Sequence, residues 1–218
     1  MALAIFDLDE TLIAADSDHL WGQFVVEQGL VDPAVHAQKN DEFYAQYKAG
    51  KLDIDEYLKF ACSVLARYPM AELHQWRARF VDEKILPICL PAARELVESH
   101  RRQGDELLVI TSTIEFVTRP IVELFNIETL IAPEPEISNG RYTGNMTGTP
   151  SFAAGKVTRL QEWLAETDRT MAGSYFYSDS HNDLPLLREV DYPVAVDPDP
   201  LLQAEAERNQ WRIISLRT

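Results

Sequence analysis

Apolar positions along the chain follow two different spacings. Leu3-Ala4-Ile5-Phe6 is a short continuous apolar run that breaks into Asp7-Leu8-Asp9, the pattern of a buried strand presenting carboxylates at its carboxyl end. From Asp16 to Leu86 the apolar residues recur at three and four, the period of helices. One face runs through Leu20, Phe24 and Val25, reaching Gln28; Gly29 stops it and Asp32-Pro33 starts the next helix. Gly50 and Asp53 make another stop and start. Tyr57, Leu58, Phe60, Ala61 and Leu65 form a further buried face, broken at Tyr68-Pro69 and resumed by Leu73, Trp76, Phe80 and Val81.

Beyond Leu86-Pro87 and Leu90-Pro91 helix and strand alternate, as in a doubly wound, mostly parallel Rossmann-like α/β sheet. The predicted order is helix 91–103 closed by Gly104, strand 106–111, helix 114–125 and a short strand at Leu130-Ile131. Helix 151–165, strand 174–178, helix 184–189, strand 193–196, helix 200–208 and strand 211–214 follow. Residues 134–148, with Asn139-Gly140 at their centre, predict a β-hairpin. It reads either as a flap beside the site or as a surface excursion. The expected organisation is an α/β core of residues 1–14 and 87–218 with an α-helical insertion at 15–86. Right-handed crossovers bring Asp7, Thr111 and Asp179 to one sheet edge.

Composition narrows the function. A chain of 218 residues holds a full core plus a smaller insertion, and 46% apolar with 25% charged residues is that of a soluble globular protein. The net charge of −15 argues against nucleic acid or an anionic membrane as partner, so any small anionic ligand needs a local positive centre. Cys62 and Cys89 stand far apart in apolar surroundings and read as free thiols in a reducing compartment, with a structural disulfide as the alternative. The start of the chain has neither a basic region nor a long apolar run, so a cytoplasmic location is expected, and the sequence leaves the oligomeric state open.

Several stretches carry chemistry: Asp7-Leu8-Asp9-Glu10-Thr11 at a strand end, Thr111-Ser112-Thr113 at a second, Lys156 on a helix, and Ser178-Asp179-Ser180-His181-Asn182-Asp183 at a third strand end. Each has a plain alternative. Thr111 could bond its own turn, and Lys156 could be one solvated lysine. Gly155-Lys156 fails as a phosphate-binding P-loop, because six residues rather than four separate Gly148 from Gly155 and Val157 replaces the hydroxyl residue. His181 lacks a second ligand at zinc spacing and reads as a loop residue.

In this order the four motifs resemble the haloacid dehalogenase-like hydrolase superfamily, and its phosphoserine-phosphatase-like branch in particular. The resemblance implies a Mg²⁺-dependent phosphatase acting through an aspartyl-phosphate. Asp7 is the expected nucleophile, and Asp9 the general acid and base. Thr111 is the expected hydrogen-bond donor to a phosphoryl oxygen, Ser112 is a substrate contact, Asn182 positions the phosphate or the nucleophile loop, and Lys156 is the charge-neutralising lysine. The expected metal group is Asp7, the carbonyl of Asp9, Asp179 and, around them, Asp183 holding a water or Lys156. Against the branch's usual pattern, Ser178 replaces a glycine and Ile114 an asparagine.

The same resemblance makes Asp16 the receiver of a substrate amine, although Asp16 and Ser17 also suit a helix N-cap. Phosphoserine would need a cationic clamp for its carboxylate; Arg67 and Arg77 are the candidates, and neither aligns. An amino-alcohol phosphate is therefore expected, histidinol phosphate ahead of phosphoserine. Phosphotransfer to an alcohol and a non-catalytic phosphate-binding module are the alternatives.

Overall fold

The computed structural model describes residues 2–217. Strand β1 (Leu3–Phe6) is buried along its whole length because both of its faces are covered. Leu3 and Ile5 join one hydrophobic cluster and Ala4 and Phe6 the other, as the period of a strand requires. Around it lies a six-stranded, all-parallel sheet. Strands β2 (Glu106–Ile110) and β3 (Thr129–Ile131) lie on one side, and β6 (Tyr175–Ser178), β7 (Tyr192–Val196) and β8 (Arg212–Ile214) on the other, in the order β3-β2-β1-β6-β7-β8. The direction of winding reverses between β1 and β6, which opens a crevice at their carboxyl ends.

Helices α5 (Pro91–Gln103) and α6 (Glu115–Glu123) cover the Phe6 face, and α7 (Ala154–Glu166), α8 (Leu184–Leu187) and α9 (Pro200–Asn209) the Ile5 face. Between β1 and α5 stand four helices: α1 (Ser17–Glu27), α2 (Pro33–Lys48), α3 (Ile54–Leu65) and α4 (Met70–Phe80). Three of them start on aspartate caps at residues 16, 32 and 53, each carboxylate accepting a backbone N–H of the first turn. Helices α1 and α4 pack toward α6 through the rings of Trp21, Phe24, Phe80 and Phe116, with Trp21 and Phe116 centroids 5.6 Å apart. The chain leaves and returns through a paired crossing, with Ala14 N–H donating to Ile88 O and Leu90 N–H to Leu12 O.

Several boundaries differ from the sequence expectation. The helix expected over 151–165 starts at Ala154, because Ser151 is held by its hydroxyl to Thr111 O at 2.7 Å and Ala153 takes a left-handed φ of 47°. Helix α4 passes into a π-turn at Val81–Ile85 and a 3₁₀ turn at Leu86–Ile88 before Pro91 restarts the chain. The segment after β6 begins with a 3₁₀ turn, His181–Asp183. Strands β4 (Glu134–Ser138) and β5 (Arg141–Thr147) form the expected hairpin, with Asn139 and Gly140 both at positive φ. Its inner edge rests on α3, with Met146 Sδ 3.1 Å from Cys62 Sγ, away from the crevice. Both cysteines are free.

Candidate active site

Three strand ends and one helix build the crevice. Asp7 follows β1 and is anchored by its N–H on Tyr177 O at 2.9 Å. Leu8, fully buried, fastens the next turn through its carbonyl, so Asp7 and Asp9 flank it in a compact loop. Thr111 follows β2, Asp179 follows β6, and Lys156 lies in the first turn of α7. That turn can come in close because Gly155 has no side chain; a Cβ there would sit 2.1 Å from Pro150 O.

Lys156 is 1% exposed, and its Nζ donates to Asp7 Oδ1 at 2.9 Å and Asp183 Oδ2 at 2.8 Å. The same Asp183 oxygen, Oδ2, also accepts Ser178 Oγ–H at 2.7 Å, from the hydroxyl that stands where the resemblance expected glycine. Thr11 Oγ1 donates to the Asp179 carboxylate at 3.2 Å and accepts Asp179 N–H at 3.1 Å, tying the first motif to the fourth. Asp9 accepts Ser17 N–H at 2.6 Å and Thr113 Oγ1–H at 2.8 Å. Thr111 Oγ1 accepts Thr113 N–H at 3.2 Å, so the hydroxyl proton is free to donate into the crevice.

These groups open onto a pocket lined by Asp7, Asp9, Thr111, Ser112 and Thr113 at one end. Asp16, Asp18, His19, Asn40 and the rings of Phe43, Tyr44, Tyr47 and Tyr57 line the other, and no lysine or arginine is among its walls. Asp16 faces the pocket and also caps α1, accepting His19 N–H at 2.7 Å. Asp18, 6% exposed, accepts the hydroxyl of Tyr57.

Electrostatically the site is starved of positive charge. Burial, opposed by Lys156 and reinforced by Asp183 and Asp9, raises the Asp7 carboxyl to about 7. Burial and the charge of Asp16 raise Asp9 to about 7, and burial above all raises Asp16 and Asp18 to about 7. Burial and the neighbouring Asp7 hold Asp179 well above the usual carboxylate range. Burial opposes the charge of Lys156, but Asp183 and Asp7 outweigh it and raise its pKa.

This arrangement fits a hard divalent cation. Asp7, Asp179 and Asp183 set three carboxylates against the one ammonium of Lys156; the nearby Lys48 is taken by Glu10. With all three ionised, the remainder is two negative charges on oxygen donors, matching Mg²⁺ in charge and ligand preference. Among the described residues no three His, Cys, Asp or Glu side chains converge as a metal cage. A Mg²⁺ site of two carboxylates, a carbonyl and waters does not require one.

A family model described as haloacid dehalogenase-like hydrolase matches residues 4–188. The chain belongs to this family. Among its relatives, a histidinol-phosphatase of Neisseria meningitidis serogroup C is 50% identical, with 99% of each chain covered. A crystal structure of a protein of unknown function from Bordetella pertussis Tohama I superposes with a TM-score of 0.93 at 40% identity, covering 99% of this hydrolase and 98% of that chain. A substrate-bound phosphoserine phosphatase shares the fold, with a TM-score of 0.72 at 16% identity over 98% of this chain and 92% of that one. The hydrolase is a phosphatase.

Asp7, Asp9, Asp16, Thr111 and Ser112 all line the pocket, and Lys156, Asp179 and Asp183 stand around Asp7. Asn182 points elsewhere: its Nδ2 donates to Tyr47 O at 3.2 Å, fastening the end of α2 to the fourth motif. Beside it Gly50 lies against His181, whose Nδ1 and backbone N–H are both taken by Asp199 at 2.7 Å. Arg77 donates to Phe116 O and Arg67 lines an outer groove, so neither reaches the pocket. Sequence reasoning missed the side-chain roles of Thr11, Thr113 and Ser178. Their hydroxyls sit within or beside the motifs, and that adjacency was the available signal.

Proposed function

We propose that this phosphatase hydrolyses histidinol phosphate with Mg²⁺, through a phosphoryl group carried on Asp7. The observation that carries the substrate is the pocket wall beyond Asp9: two carboxylates, four aromatic rings and no cation. Such a wall suits an amine and a heteroaromatic ring and offers no lysine or arginine to a substrate carboxylate, which would face Asp16 and Asp18. The 50% identical Neisseria protein named histidinol-phosphatase supports the same choice.

In this reading Asp7 and Asp179, with the carbonyl of Asp9, hold Mg²⁺, which when bound supplies charge neutralisation at the phosphoryl oxygens. Asp7 attacks phosphorus, forming its Oδ–P bond as the ester P–O bond breaks, and water later cleaves the acyl phosphate. Asp9, pushed up by burial and oriented by Ser17 and Thr113, is placed to give a proton to the leaving alcohol. Deprotonated by that transfer, it then takes the proton of the attacking water. Thr111 and the N–H groups after β2 receive phosphoryl oxygens. Lys156 keeps Asp7 aimed and offsets charge as the transition state forms.

Residues 15–86 serve as a cap over this chemistry, carried on the crossing at residues 12–14 and 88–90 and fastened by Asn182 on Tyr47 and Lys48 on Glu10. Phosphate release from histidinol phosphate, phosphoserine, phosphoethanolamine and a sugar phosphate tests the reading. Histidinol phosphate should lead in kcat/KM by at least tenfold; phosphoserine leading would overturn it.

A further inference from the structure

The two carboxylates beyond Asp9 are not equivalent. Asp16 lies on the side of Asp9, where its charge is the strongest neighbouring influence on the general acid, and it already spends one oxygen on His19 N–H. Asp18 is set one half-turn into α1 and backed by α3, where Tyr57 donates its hydroxyl to it. Neither is ion-paired among the described residues, and no lysine or arginine lines the pocket.

His19 on this wall is already engaged: both of its ring nitrogens meet amide groups, of Asn40 at 3.0 Å and Gln23 at 2.9 Å. Its ring is also stacked on Tyr44 with centroids 4.5 Å apart. Tyr57 in turn is braced edge-on by Phe43 at 5.4 Å. Asp18 is therefore a 94% buried carboxylate (6% exposed), fixed by one donor, with an oxygen left for a ligand.

Histidinol phosphate has an amine on the carbon next to the ester carbon and its ring one carbon further out. A phosphate at Asp7 with its ester oxygen at Asp9 puts these in that order along the pocket: amine toward Asp16, ring toward Asp18. We infer that Asp18, oriented by Tyr57, is the residue that selects the ring, accepting a ring N–H of histidinol phosphate while Asp16 takes the amine. The inference rests on the proposed substrate and adds the residue that separates it from smaller amino-alcohol phosphates.

The test compares histidinol phosphate with phosphoethanolamine, which has the amine and no ring, in the native protein, Asp18→Asn and Tyr57→Phe. Asp18→Asn should raise KM for histidinol phosphate by about tenfold to a hundredfold, the loss of one charge-assisted hydrogen bond, with kcat changed much less. The kcat/KM ratio of histidinol phosphate to phosphoethanolamine should fall at least tenfold. Tyr57→Phe should move the ratio the same way by a smaller factor, and inhibition by the product histidinol should weaken in parallel. An unchanged ratio in both variants overturns the assignment while leaving the substrate standing. A native protein that does not turn over histidinol phosphate removes the substrate, and this inference with it.

Discussion

Replacing Lys156 by methionine removes the only ammonium from a buried cluster and keeps nearly the same volume, so the effect is electrostatic rather than one of packing. Two contacts disappear, at 2.9 and 2.8 Å, and Asp7 and Asp183, at 3% and 2% exposed, lose the cation between them. Removing one partner of a buried ion pair costs about 3–5 kcal/mol. For a chain of this size each kcal/mol moves Tm by about 2–4 °C, so the drop should be roughly 6–20 °C in chelator at pH 8.

The pH dependence follows from the direction of the shift. Asp7 is at about 7 even with the lysine present, and without it rises further above its unfolded value near 4. The folded state then binds more protons than the unfolded one, so stability falls as pH rises. The penalty is absent below about pH 4 and complete only above the folded pKa. Melting curves of native protein and Lys156→Met in chelator at pH 5 and pH 8 are the assay. A drop below about 3 °C at pH 8, or an equal drop at both pH values, would refute the account of this lysine.

The same sign applies to Asp18, buried and raised to about 7, so Asp18→Asn should melt higher than the native protein in chelator at pH 8, by about 1–2 kcal/mol of added stability. That gain should fade toward pH 5, and a variant less stable than native at pH 8 would contradict it. Thr113→Val removes the hydroxyl that orients Asp9 and should lower kcat roughly tenfold with KM within about twofold; a pure KM effect in steady-state kinetics would place Thr113 on the substrate instead. Mg²⁺ should raise Tm more at pH 8 than at pH 5, because protons compete for Asp7 and Asp179, and equal shifts in thermal melts would argue against carboxylate ligation.

What the sequence showed and what it hid divide along physical lines. Strand β1 was legible because burial on both faces forces a continuous apolar run, and Asp7 because it breaks that run at a strand end. The Asn139-Gly140 turn was legible because only such residues take positive φ twice in succession. Its resting place on α3 was not, since Met146 and Cys62 carry only generic apolar character. The hydroxyl bonds from Thr11 to Asp179 and from Thr113 to Asp9 join residues 168 and 104 positions apart, and periodicity holds no information at that range. Asn182, expected to position the phosphate or the nucleophile loop, meets Tyr47 O in this structure because the end of α2 descends onto the fourth motif, a docking that no local pattern encodes. The π-turn after Phe80 likewise lies where helical spacing continued unbroken in the sequence.

The most direct measurement is rapid acid quench of the native protein during turnover of phosphorus-labelled histidinol phosphate with Mg²⁺, followed by peptide mapping. The account predicts one acid-stable phosphoryl group on the peptide that holds Asp7, absent with chelator and absent in Asp7→Asn. Phosphate released at the native rate with no label on Asp7, or by Asp7→Asn as fast as by the native protein, would contradict it.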